Sequence, residues 1–314
     1  MKAAIVQQAG QSPVYGEFEA PVPAAGEHRI AVIASAISQV AKSRASGTHY
    51  SASGQFPFVV GIDGVGRRDD DARVYFALPR APFGSMAELT VVPAAQCVPL
   101  PDDLDDVTAA AIANPGLSSW AALTERAKLR AGETVLINGA TGIAGRLAVQ
   151  IARYLGARKV IAAGRNAEAL GTLGADVAIA LVADDTALER SFKMQFAEGV
   201  DVVLDYLWGA SAERLLIAAA KAGPDAVPIR FVQIGSVSGS DITLPSAVLR
   251  SSAIELMGSG IGSIPLDRLI KATSDLLQAT IPGGFKIAVN PVPLNEIEQA
   301  WASDDSSRRS VMTM

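Results

Sequence analysis

The sequence predicts an α/β protein of two domains. Three observations carry this reading. The chain has 314 residues at 49% hydrophobic content, more than one core usually holds. Its opening stretch reads as short strands punctuated by Gly and Pro, at 1–7, 29–36, 58–65, 73–77 and 87–92. From Leu129 the texture changes to strands at 134–138, 159–163, 177–181, 201–204, 229–234 and 254–257, with helical spacing between them. That alternation is the pattern of a parallel sheet covered on both faces. A strand at 286–292, a helix at 295–302 and a terminal strand from Ser310 return to the first texture.

Charge and composition narrow the function classes. A net charge of −5 and a pI near 5.2 lack the clustered Lys and Arg that neutralise phosphates, so nucleic acid is not an expected partner. The apolar run at the amino terminus breaks at Gln7 and Gln8, too early for a signal peptide. No later stretch approaches the roughly 18 apolar residues of a membrane span. The expectation is a cytoplasmic protein with no membrane partner. Cys97 is the single cysteine and reads as a small buried hydrophobe rather than a reactive thiol. With Cys97, His28 and His49 as the whole Cys and His complement, no zinc site is expected.

The most informative segment runs from Glu133 through Thr-Val-Leu-Ile-Asn to Gly139-Ala140-Thr141-Gly142-Ile143-Ala144-Gly145. A buried strand feeds a glycine turn that opens a helix. Leu147, Ala148, Ile151, Ala152 and Leu155 recur at helical spacing, and Gly156 sits where a left-handed cap ends it. In such a turn Gly142 lets the backbone approach a pyrophosphate and Gly145 lets helix pack on strand, while the free N–H groups of the first turn face the anion. The usual first glycine is Ala140 here. At the end of the next strand, an NAD-binding protein places an acidic residue on the ribose. This chain has Gly164-Arg165-Asn166 instead, and Arg165 suits a 2′-phosphate, which favours NADPH over NADH.

Leu117-Ser118-Ser119-Trp120, Leu129-Arg130-Ala131-Gly132-Glu133 and the glycine turn, in this order and spacing, resemble the zinc-free, quinone-oxidoreductase-like medium-chain dehydrogenases/reductases. Gly61-Ile62-Asp63-Gly64, Leu173-Gly174-Ala175-Asp176 and Asp201 to Asp205 extend the resemblance along nearly the whole chain. It implies a Rossmann doubly wound sheet domain at 115–284 and a β-rich GroES-like domain built from 1–114 and 285–314, with a cofactor cleft between them. It also implies nicotinamide-side contacts from Ser118, from Ile234, Gly235 and Ser236, and from Gly258, Ser259 and Gly260, with Arg309 near a family lysine. A homodimer is implied too. A short-chain dehydrogenase is excluded, because no tyrosine of the five is followed by Lys four residues on.

The main departure is Ser38-Gln39-Val40-Ala41, where relatives carry Asn-Pro-x-Asp. Ser38 stands for the asparagine and Ala41 for the aspartate. Gly47-Thr48-His49-Tyr50 leaves either His49 or Tyr50 at the position of a family tyrosine, and Asp63 reads as a structural carboxylate. Without a Lewis acid, the nicotinamide supplies the driving chemistry and the protein supplies orientation. The expected substrate is a small conjugated carbonyl, quinone or enone, with Tyr50 and Ser38 as the catalytic candidates. The alternative is a cofactor-binding protein whose activity is lost or minor.

Overall fold

The computed structural model describes residues 1–47, 54–182, 184–303 and 307–314. Contacts divide the chain into Met1–Asn114 with Ile270–Met314, and Pro115–Leu269. The chain opens with β1 (Lys2–Val6), β2 (Val14–Glu17), β3 (Glu27–Ala36), α1 (Gln39–Ala45), β4 (Phe58–Val59), β5 (Asp63–Arg68), β6 (Arg73–Ala77), β7 (Leu89–Pro93) and β8 (Cys97–Pro99). After α2 (Asp106–Ala121) come β9 (Thr134–Asn138), α3 (Ile143–Tyr154), β10 (Lys159–Gly164), α4 (Ala167–Gly171), β11 (Val177–Ala180) and α5 (Asp185–Glu198). Then follow β12 (Val202–Asp205), α6 (Gly209–Ala222), β13 (Ile229–Gln233), α7 (Ser246–Arg250), β14 (Ile254–Gly258) and α8 (Leu266–Thr280). The chain closes with β15 (Val289–Pro293), α9 (Ile297–Ala302) and β16 (Arg309–Thr313).

In the first unit the larger sheet runs β15-β16-β3-β5-β6-β8, with β7 also on β3, and a smaller one runs β2-β1-β4. β16 is antiparallel to β3, with Val311 opposite Ala36. Ala4, Val6, Ile37, Val60, Leu294, Ile297 and Met312 share one core, so both ends of the chain must be present for either to bury its apolar face. The run 58–65, read as one strand, is two. Gly61 breaks it at φ +103, where an added Cβ would lie 2.3 Å from Ser85 Oγ. β15 starts later than the sequence pattern suggests and carries Pro291 and Pro293, which its edge position tolerates because no outer neighbour needs their missing N–H groups. Cys97 is half-buried, and burial pushes its thiol up to about 11, which keeps it unreactive.

The second unit is a parallel sheet in the order β11-β10-β9-β12-β13-β14. Every residue of β9 is buried, which explains why Val135, Leu136 and Ile137 run apolar without alternation. α3 covers the sheet with Leu147, Ala148, Ile151 and Ala152, and Gly156 ends it at φ +93, as the glycine pattern predicts. Leu136, Ile161, Phe192, Phe196, Leu215 and Phe231 fill a core on the sheet. Strand order reverses direction at β9, between β10 and β12, and the carboxyl ends of strands at such a point form the ligand crevice of doubly wound sheets. Among the described residues, no helix is long and apolar enough to cross a membrane.

Candidate cofactor and active site

The turn after β9 separates its glycines by job. A Cβ on Gly145 would lie 2.3 Å from Gly139 O and 2.6 Å from Ala140 Cα, so glycine there is demanded by backbone packing inside the protein. Gly142 is different. Its φ of −74 suits any residue, and an added Cβ would meet only Gly139 O at 3.6 Å. No contact among the described residues requires glycine at Gly142, whereas a ligand lying against the backbone would. The first helical bond runs from Arg146 N–H to Gly142 O, which leaves the amides of Ile143, Ala144 and Gly145 ahead of it at the positive end of α3. Arg146 Nε donates to Thr141 O at 2.9 Å and braces the turn.

The end of β10 is built against that turn. A Cβ on Gly164 would meet Thr141 Cγ2 at 2.7 Å, so the absence of a side chain lets the two segments touch. Arg165 follows directly and is exposed, with no hydrogen bond or ion pair to its guanidinium among the described residues. Asn166 caps α4 by accepting from Ala169 N–H at 2.9 Å. Chain geometry thus puts a free cation beside the glycine turn.

At the end of β12, Asp205 organises a second turn. Its Oδ1 accepts from Asn138 Nδ2 at 2.8 Å and from Leu207 N–H at 3.0 Å, and Trp208 N–H donates to both carboxylate oxygens at 3.2 Å. Trp208 sits at φ 59 and ψ −157, a region that costs a non-glycine residue on the order of 1–3 kcal/mol and is held by this carboxylate. Tyr206 is buried, and its hydroxyl pairs with Ser118 Oγ at 3.3 Å, while Ser118 also donates to Pro115 O at 2.6 Å. Burial pushes the Tyr206 phenol up to about 12, so it stays protonated and can donate. Sequence reading found Ser118 and missed Tyr206, Asn138 and the strain at Trp208. Only the Asp201 to Asp205 motif hinted at them.

The remaining candidates of this unit lie at the ends of β13 and β14. Ile234 and Gly235 donate backbone N–H to Asp205 O at 2.7 and 3.2 Å, and Ser236 is exposed beyond them. Ser259 N–H donates to Gln233 O at 2.8 Å, Gly260 N–H to Ser263 Oγ at 2.8 Å, and Gly258 O accepts from Arg126 Nε at 2.8 Å. The structure therefore brings the predicted residues of β9, β10, β13 and β14 to the carboxyl ends of their strands.

In the other unit, Ser38 is buried, and its Oγ accepts from Ala41 N–H at 2.9 Å to cap α1. That occupies the oxygen in a structural bond. Arg309, on β16, is 7% exposed, its Nε and Nη2 have no partner among the described residues, and its charge acts on buried Asp63. Asp63 accepts the Tyr75 hydroxyl at 2.9 Å, and its backbone oxygen accepts from Ser35 Oγ at 3.0 Å. The structural reading of Asp63 thus gains a buried cationic neighbour that spacing did not suggest. His49 and Tyr50 lie outside the described residues. Among those described, no three His, Cys, Asp or Glu side chains group as a metal site.

The family model described as zinc-binding dehydrogenase matches residues 144–279. The chain is 30% identical over 99% of its length, and 99% of the relative's, to the protein named probable NADPH-dependent quinone reductase tdiC of Emericella nidulans. The chain belongs to the quinone-oxidoreductase-like medium-chain dehydrogenases/reductases. A second member-like match is to the mycocerosic acid synthase-like polyketide synthase of Mycobacterium tuberculosis, 30% identical over 72% of this chain but spanning only 11% of that much longer protein. The two-domain fold of this medium-chain reductase matches the Thermus thermophilus quinone oxidoreductase, which was also solved with NADPH. That match has a TM-score of 0.81 at 25% identity and covers all of both chains.

Proposed function

We propose that this medium-chain reductase uses NADPH to reduce a conjugated carbonyl, a quinone or an enone, without a metal ion. The observation that carries it is the pairing of Gly142, whose missing side chain no protein contact explains, with the free Arg165 guanidinium across Thr141. Those residues fit a dinucleotide phosphate: the α3 amides would hold the pyrophosphate and Arg165 a 2′-phosphate. When bound, NADPH supplies the hydride. The chain's own part is to orient and to donate: Ser118, on α2, and Tyr206, beyond β12, hold paired hydroxyls, and His49, Tyr50 or water completes proton delivery. Names of the relatives support this reading, since the fungal relative is named for NADPH and quinone and the Thermus protein was solved with NADPH. The proposed cofactor domain covers 115–284, and 1–114 with 285–314 carries the substrate side. β14 leaves one edge unpaired, with Leu256 39% exposed, which suits a homodimer.

A second reading, cofactor binding without turnover, is favoured by Ser38, whose oxygen caps a helix, and by Ala41, buried where relatives place aspartate. NADPH oxidation with a panel of quinones and enones, in chelator, decides between them. Turnover with at least one substrate supports the reductase. NADPH binding with no consumption favours the second reading, and light scattering reads the oligomer.

A further inference from the structure

The first unit contains a recess of about 520 Å³, counted with its open mouth, between α1 and the segment from Pro79 to Phe83. Most of its lining residues are apolar: Phe56, Phe58, Pro82 and Phe83 face it beside the aliphatic side chains of β4 and its neighbours, and polar groups share its surface. Phe56 and Phe58 form a tilted pair with ring centroids 5.4 Å apart. Arg44, from α1, is the sole charged side chain among the described lining residues. It is half-buried, and its guanidinium makes no hydrogen bond or ion pair among the described residues.

Five of the other arginines of this unit are paired with acids. Arg29, Arg67, Arg68, Arg73 and Arg80 each hold an aspartate or glutamate. A cation withdrawn from water without a counter-charge is unfavourable, and burial indeed holds Arg44 below the ordinary arginine range. An anion from outside the chain would supply the counter-charge that is absent among the described residues. One guanidinium with no second cation matches a monoanionic carboxylate, which it can grip with two parallel N–H bonds, better than a phosphate dianion. The aromatic walls match a flat apolar body on the same molecule.

We propose that the recess binds a small carboxylic acid with a flat apolar body, Arg44 gripping the carboxylate, and that the conjugated-carbonyl substrate is itself such an acid. The second half rests on the reductase reading above; the first does not. Arg44 is then a specificity residue, acting on affinity rather than on the hydride step.

Calorimetry with naphthoate, which cannot be reduced, tests the site without cofactor. Wild-type protein should bind naphthoate, and Arg44→Gln should bind it at least about 10-fold more weakly, the scale of one charge-assisted hydrogen bond. Arg44→Lys should restore part of the affinity, and neutral naphthalene methanol should not distinguish the proteins. Equal naphthoate binding by wild type and Arg44→Gln, with unchanged melting temperatures, overturns the site, as does no binding by wild type. Turnover then tests the substrate class. A naphthoquinone bearing a propionate chain should show a lower KM than menadione, and Arg44→Gln should raise only the KM for the acid, leaving kcat unchanged. Arg44-dependent naphthoate binding with identical KM values for both quinones overturns the substrate half. Absence of turnover with either quinone counts against the reductase reading and leaves the naphthoate result standing.

Discussion

The Tyr75 hydroxyl donates to Asp63 Oδ2 at 2.9 Å, inside a core where the other carboxylate oxygen has no partner among the described residues. Burial is the larger influence on this acid and raises it from 3.8 to about 6, against the opposing pull of Arg309 and then Tyr75. The folded protein therefore keeps a proton on Asp63 that the unfolded chain releases between those two values. Stability from this group is full below about pH 4, falls as pH rises to about 6, and is level above. Two pKa units correspond to about 3 kcal/mol. Relative to wild type, Asp63→Asn should lose this slope, read from melting temperature against pH. A variant curve parallel to wild type across the window would refute the assignment.

The two glycines of the α3 turn should fail differently. Gly145→Ala drives a methyl group into the backbone of Gly139 and Ala140, so a stability loss on the order of 1–3 kcal/mol is expected. Gly142→Ala meets nothing closer than 3.6 Å and should melt with wild type, yet bind NADPH at least about 10-fold more weakly. Thermal melts and cofactor titration check both. Undiminished NADPH affinity in Gly142→Ala would remove the pyrophosphate from this turn.

Arg165 should set cofactor choice. An exposed guanidinium with no partner among the described residues gains one from the 2′-phosphate and nothing from NADH. Arg165→Ala should weaken NADPH by about 10-fold or more and leave NADH nearly unchanged. Paired titrations give the ratio, and a ratio equal to that of wild type would relocate the phosphate site.

Ser38 and Tyr50 are separable by substrate. Ser38→Ala removes the α1 cap and should cost about 1 kcal/mol of stability, with the loss seen in melts before it is seen in rate. Tyr50→Phe keeps the ring and removes the hydroxyl. An enone should then turn over more slowly, at the low end of the roughly 10²-fold expected of a general acid, while a quinone, whose reduced anion water protonates, changes little. Equal enone rates would shift the proton donor to His49 or water.

Legibility followed the range of the interaction. Gly142, Gly145 and Arg165 were readable as candidates because strand, turn and helix are consecutive in the chain, and the expectation of an anion there rests on that local spacing. Tyr206 was not readable as a partner of Ser118, since one lies beyond β12 and the other on α2. The break at Gly61 was hidden for the same reason: the atom that forbids a side chain belongs to Ser85, on another segment.

By itself, the sequence determined the alternation of strands and helices, the glycine turn, the cation beside it and the shortage of Cys and His for zinc, because each depends on residue type and local spacing. Tertiary structure decided what those residues touch. It made Ser38 the cap of α1, set Arg309 against Asp63, and left Arg44 without a counter-charge among the described residues, in a recess lined mostly by apolar residues. Burial and charge pairing are properties of neighbours in space, and β16, from the end of the chain, pairs with β3 near its start.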